Sequence, residues 1–236
     1  MQRRNPPIDH GLDRGHMSDR DTKLIHQARS TRLTFPDAEA KQAWLPLLLE
    51  AYAIVDAGVN EAIRREEAQG RALACHKGCA ACCRSHTTIP IYPLELIGIN
   101  WYAVEKIAGP VREQLKQQLR DHKKGEPCPL LVNNACAVHP LRPMACRQFN
   151  VFDKVCTEGE DAYYTRRHDV LTPIRDYADE AFDVLLPFYG IKKGAERKRM
   201  IQSGEVHRLV KVLQEYDWPK LAERMQAFDE HRATCP

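Results

Sequence analysis

Nine consecutive residues, Cys75-His76-Lys77-Gly78-Cys79-Ala80-Ala81-Cys82-Cys83, hold four of the nine cysteines of the chain. Thiolate sulfur binds zinc and builds iron–sulfur centres, and the two residues between Cys79 and Cys82 allow one tight turn to bring both sulfurs onto one ion. The three-residue gap before Cys79 extends the chelate to Cys75. Adjacent Cys82 and Cys83 point in different directions on a helix or a strand, so they serve two centres more readily than one. Cys128, Cys136, Cys146 and Cys156 follow, which puts eight of the nine thiols between residues 75 and 156. Eight thiolates are enough for two four-cysteine sites.

Two plainer explanations compete with metal binding. A single cysteine is most often a small buried hydrophobe, but clustering on this scale is foreign to that role. A disulfide framework belongs to small secreted domains that lack a sufficient core, whereas 236 residues with 43% hydrophobic content can bury one. The N-terminal stretch "MQRRNPPIDHGLDRGHMSDRD" also lacks the apolar segment of a secretory signal. The expectation is a cytoplasmic protein with reduced thiols, translated from Met1 or from Met17. Cys235, next to the last residue and outside any motif, reads as an exposed, incidental thiol.

The most apolar stretches are broken by Glu50, Asp56, Pro93 and Glu95 and fall short of a membrane span, so no membrane partner is expected. A net charge of +3 from 35 basic and 32 acidic residues does not point to a polyanion. Lys192, Lys193, Arg197, Lys198 and Arg199 form a basic run, but few aromatic or basic residues interleave with the cysteines. A solvated helix face is the better reading, and nucleic acid is not an expected partner. Nothing in the sequence identifies a protein partner.

The elements that must position the thiols read as helices, and the expected fold class is mainly α, with helices flanking an irregular cysteine-rich metal-binding core. Residues 1–33 are polar without apolar period and read as a flexible tail. Residues 34–156 read as a helical domain carrying the cysteine cluster, and 157–236 as a C-terminal helical region packed on it. Trp44, Leu47, Leu48, Ala51, Ile54, Val55, Val59 and Ile63 recur at helical spacing, with Pro46 expected to kink or restart the helix. Leu94 to Val104 predicts another helix, and Gly109-Pro110 opens one carrying Val111, Leu115 and Leu119. Residues 125–156 contain four prolines and four cysteines without sustained period, as expected of irregular chain held by coordination rather than by backbone ladders. Three further helices are predicted around Ile174–Leu185, Val206–Leu213 and Leu221–Phe228.

"CHKGCAACC", then Cys128-Pro129, Cys136, Arg142-Pro143, Cys146-Arg147 and Cys156, resembles the YkgJ-type cysteine-cluster family, a zinc- or iron-chelating domain. The resemblance covers about residues 72–156. It implies Cys75, Cys79, Cys82, Cys83, Cys128, Cys136, Cys146 and Cys156 as metal ligands, with zinc and an iron–sulfur cluster both open. His139 stands where the family tends to carry tyrosine, and a packed or surface role fits it better than ligation. A relative of this domain occurs in the flagellin lysine N-methylase, which carries an iron–sulfur cluster. That implies an enzymatic alternative, although this chain has no G-x-G turn to cradle S-adenosylmethionine in a doubly wound fold. A closed zinc site would instead make a structural module that orders loops for a nucleic-acid or protein partner.

Four thiolates on Zn²⁺ leave a net charge of about −2, which nearby guanidinium groups offset. Arg142 and Arg147, the latter directly after a cysteine, are the candidates for that role and for donating hydrogen bonds to sulfur.

Overall fold

The computed structural model describes residues 17–234, so Cys235 lies outside the described residues. Helices take 63% of them and the sheets are small, as a mainly α fold requires. The longest helix, Trp44–Ala68, carries Leu45, Leu48, Leu49, Tyr52, Val55, Val59 and Ala62 at the i, i+3, i+4 spacing of one buried stripe. Pro46 neither kinks nor interrupts it. It stands in the first turn, where its missing N–H has no intrahelical acceptor to serve.

Two hydrophobic clusters organise the molecule. The first joins the Trp44–Ala68 helix to the Arg175–Leu185 helix through Tyr52, Val55, Tyr177, Ala181 and Leu185. Gly58 lets those two helices touch, since a Cβ there would stand 2.6 Å from Tyr177 Cβ. The second gathers Ile99 and Ala103 of the Pro93–Glu105 helix, Leu115 and Leu119 of the Gly109–Asp121 helix, and Trp218, Leu221 and Met225 of the Trp218–Thr234 helix. Each such side chain, fully buried, contributes about 1.5–3 kcal/mol. Arg112 locks this second cluster: its guanidinium donates to the carbonyls of Ala103, Val104, Ile107 and Met225, each at 2.9 Å, and reaches Asp229 at 2.9 Å. The carbonyls at the end of one helix are thereby satisfied by a side chain of the next.

Two expectations are corrected. Of the polar stretch 1–33 assigned to a flexible tail, residues 1–16 lie outside the described residues, and the remainder is helical over Asp19–Thr31. Ser18 caps it by accepting from the Asp21 amide at 3.1 Å, and buried Asp21 accepts from the Tyr177 hydroxyl at 2.9 Å and pairs with Arg65 at 3.1 Å. Polar contacts of this kind leave no apolar period to read. The helix expected over Val206–Leu213 is instead a 3₁₀ turn, Glu205–Leu209, then a short strand, Lys211–Val212, and a second turn, Leu213–Glu215. Gly204, at φ +73°, ends the preceding Gly194–Gln202 helix in the left-handed region, and Val212 pairs antiparallel with Pro90. The Gly194–Gln202 helix carries most of the basic run, as expected for a solvated face.

Candidate metal centre

The cysteines sit on the least regular part of the chain. Cys75 and Cys79 lie on an extended loop, while Cys82 and Cys83 are carried by a one-turn helix, Ala81–Ser85. Cys136 ends a two-residue hairpin in which Leu131 pairs with Cys136 and Val132 with Ala135. Its turn is Asn133-Asn134, both at positive φ (50° and 60°), the backbone that a two-residue hairpin loop favours and asparagine tolerates. Cys128 is placed from both sides. Its amide donates to the Cys83 carbonyl at 3.0 Å, and the following carbonyls of Pro129 and Leu131 accept from the Gln118 amide at 2.5 and 3.0 Å.

Cys146 is held by a buried acid. Glu95 accepts from the Tyr92 amide at 2.9 Å, capping the Pro93–Glu105 helix, and its other oxygen accepts from the Met144 amide at 2.6 Å, capping the short Met144–Gln148 helix that carries Cys146. One carboxylate thus fixes the start of two helices. Burial pushes its pKa up to about 7.

Side-chain packing divides the thiols. Cys128, Cys136 and Cys146 pack on the second hydrophobic cluster. Cys75 and Cys156 pack on a small third one formed by Val151, Ala162 and Val170. Isolated bridges, Leu73 with Phe152 and Val151 with Val170, bring the chain around Cys75 alongside that leading to Cys156, and the Val151 amide donates to the Cys75 sulfur at 3.3 Å. Cys82 and Cys83 lie between these groups. The Cys82 thiol is hydrogen-bonded to that of Cys83, and Cys83 to Cys128. Ionisation of Cys82 would act on Cys75 and Cys156 on one side and on Cys136 and Cys146 on the other.

All eight described cysteines are free thiols. Burial raises Cys75 to about 11, and the hydrogen bond to Cys128 raises Cys83 to about 12. Cys82 is pushed up by its hydrogen bond to Cys83 and by burial, and Cys136, Cys146 and Cys156 by burial. An activated nucleophile requires the opposite, a depressed thiol pKa, so these six are not built for thiolate attack. Among the described residues no three His, Cys, Asp or Glu side chains form a ready-made ion site. Hydrogen bonds link the thiols of Cys82, Cys83 and Cys128, and coordination would have to remove the protons of the ligating thiols and draw them together. Thiolate sulfur is the donor type that zinc and iron–sulfur centres share.

Arg147 and Arg142 are placed differently from the sequence reading. Arg147 donates to the Arg142 carbonyl at 2.9 Å, the Pro140 carbonyl at 2.6 Å and Asp56 at 2.5 Å, with its guanidinium 4.0 Å above the Tyr52 ring. Arg142 reaches the carbonyl and ring nitrogen of exposed His139 at 3.1 and 3.4 Å. Both act on the Cys136 thiol through charge, opposing the rise that burial causes, but the guanidinium that reaches sulfur is Arg166, whose Nη2 lies 3.6 Å from Cys156 Sγ. Glu160 at 2.7 Å and Asp169 at 2.9 Å hold it there. Nothing in the sequence separates Arg166 from its neighbours Arg167 and His168. His86, three residues after Cys83, was also missed. Its ring packs edge-on to Phe149 at 4.6 Å, and its buried Nε2 stands 3.3 Å from Asp161 without the alignment of a hydrogen bond.

Residues 74–169 match the family model described as "CxxCxxCC: Putative zinc- or iron-chelating domain", which supports metal binding by this segment without deciding the metal. The matched span contains all eight described cysteines and Arg166. No curated protein and no solved structure matches the chain. No helix among the described residues is long and apolar enough to cross a membrane.

Proposed function

We propose that the chain binds metal through two neighbouring sets of four thiolates: Cys75, Cys79, Cys82 and Cys156 in one, and Cys83, Cys128, Cys136 and Cys146 in the other. The observation that carries this reading is the division of the thiols between two hydrophobic clusters, with Cys82 and Cys83 between them. Cys79 goes with the first set because it acts on Cys75 and Cys156, and Cys83 with the second because its thiol and its carbonyl both engage Cys128; Cys82, which acts on thiols of both groups, completes the first set of four. Successive residues of a helix diverge by about 100°, which suits one thiol to each set.

When bound, the metal supplies a cross-link between segments that have little backbone ladder of their own. The residues of this chain supply the donors, the Val151 amide and Arg166 guanidinium at sulfur, and the positive charge of Arg142 and Arg147 near Cys136. Zinc and iron–sulfur centres share this donor set. Anaerobic purification followed by zinc, iron and acid-labile sulfide analysis, with a visible absorption spectrum, separates them. Zinc without colour marks closed structural sites; iron with sulfide and visible absorption marks clusters. Protein purified under nitrogen with neither zinc nor iron would refute the proposal.

A further inference from the structure

A cavity of about 570 Å³ lies between the Asp19–Thr31 helix, the Trp44–Ala68 helix and the loop that leads to Cys146. Five arginines line it, Arg20, Arg32, Arg64, Arg142 and Arg147, against two carboxylates, Asp56 and Glu61. Four of the five are already paired. Arg20 and Arg64 share Glu61 at 3.5 and 2.7 Å, Arg32 takes Glu39 at 2.6 Å, and Arg147 takes Asp56 at 2.5 Å. Among the described residues Arg142 has no carboxylate partner. Its side-chain hydrogen bonds both run from Nη1 to His139, leaving donors of a planar fork suited to an oxyanion. Burial and the charge of Arg147 both disfavour its charged form, and the Asp56 carboxylate, which is bonded to Arg147, offsets this only in part. Asn60, exposed on the Trp44–Ala68 helix, adds a polar group to the same wall.

We propose that this cavity binds a small organic oxyanion, a carboxylate or a phosphate, with Arg142 as its principal ligand and the surrounding guanidinium groups as the steering field. The volume falls within the range of small-molecule sites. Arg142 and Arg147 also act on the Cys136 thiol, so an anion bound here sits within electrostatic reach of the second thiol set. The cavity is complete without metal, and the proposal goes beyond metal binding rather than resting on it.

Calorimetric titration of the full chain with citrate and with inorganic phosphate, at ionic strength matched with chloride, tests it. At least one of the two is expected to bind saturably. Tighter citrate identifies a carboxylate site and tighter phosphate a phosphate site. Arg142→Gln should weaken binding by about tenfold or more, the scale of a lost charged hydrogen bond. Asn60→Asp, at an exposed wall position remote in sequence from every thiol, should weaken it through added negative charge and decides the matter if the Arg142 variant does not fold. Lys193→Gln, off the cavity, should leave binding unchanged. Absence of saturable binding by either anion, or wild-type affinity in Asn60→Asp together with wild-type affinity in any folded Arg142→Gln, would overturn the proposal. Metal content measured on the same samples keeps the two readings apart. Anion binding by protein that takes up no metal refutes the thiolate proposal alone, and metal without anion binding refutes this one alone.

Discussion

The Cys128 amide donates to the Cys83 carbonyl at 3.0 Å, joining two cysteine segments that are 45 residues apart by a bond that does not involve sulfur. Their thiols also meet, and that contact raises Cys83 to about 12. The backbone bond survives deprotonation of either sulfur, so the pairing of these two donors is set before a metal arrives.

Raised thiols make metal binding compete with protons. Ligating sulfur must be thiolate, so each ion bound should release protons, and affinity should fall as pH falls from 8 to 6. Titration of chelator-treated protein with zinc, in buffers of differing ionisation enthalpy, reads the protons released. Affinity independent of pH would mean that the thiols are not the ligands.

Arg166→Gln should weaken metal binding by about 10–100-fold, the usual range for an outer partner of a metal ligand, because it removes the donor 3.6 Å from Cys156 Sγ. Arg167→Gln, whose side chain reaches the Val170 carbonyl instead, should not. Competition with a colorimetric chelator measures both variants, and equal affinities would assign Arg166 to loop structure alone.

Gly58→Ala should destabilise the fold by about 1–3 kcal/mol, the cost of overpacking, because the new methyl would stand 2.6 Å from Tyr177 Cβ. The gain in helix propensity, about 1 kcal/mol at most, offsets part of this. Urea denaturation provides the comparison, and a midpoint at or above wild type would show that the two helices are not in this close contact.

Glu95 should make stability fall as pH rises. Burial lifts its pKa from the ordinary 4.5 to about 7, so between these values the folded protein keeps a proton that the unfolded chain has lost. That contribution is complete below 4.5 and is lost as pH rises through 7. In Glu95→Gln the dependence disappears, at a fixed cost, because an amide N–H₂ then faces one of the donors Tyr92 N or Met144 N. The difference in unfolding midpoint between wild type and variant, followed from pH 5 to 8, isolates Glu95 from the thiols. It should shrink as pH rises, and a constant difference would contradict the assignment.

The long helices were legible because they bury apolar stripes: Leu45, Leu48, Tyr52 and Val55 repeat with the helical period, and so do Leu115 and Leu119. Asp19–Thr31 was not, since Asp21, Arg65 and Tyr177 hold it by polar contacts. Val206–Leu213 looked helical until Gly204 and the distant partner Pro90 claimed it. The thiols announced themselves by spacing, but their grouping did not. That Cys75 lies with Cys156 depends on bridges between Leu73 and Phe152 and between Val151 and Val170, which no local pattern encodes. The cap that Glu95 places on the helix of Cys146, and the choice of Arg166 over Arg142 as donor to sulfur, are equally products of the fold.

Metal content of two paired variants tests the central claim most directly. Cys75→Ser with Cys156→Ser removes half of one thiol set, and Cys136→Ser with Cys146→Ser half of the other. Zinc, iron and sulfide per chain are measured in each, and in wild type, after purification under nitrogen. Wild type should carry about two zinc ions or two clusters, and each paired variant should lose about half of that metal, because two of four ligands cannot sustain a closed site. Full metal in both variants would contradict thiolate coordination, and complete loss in either one would contradict two separate sets.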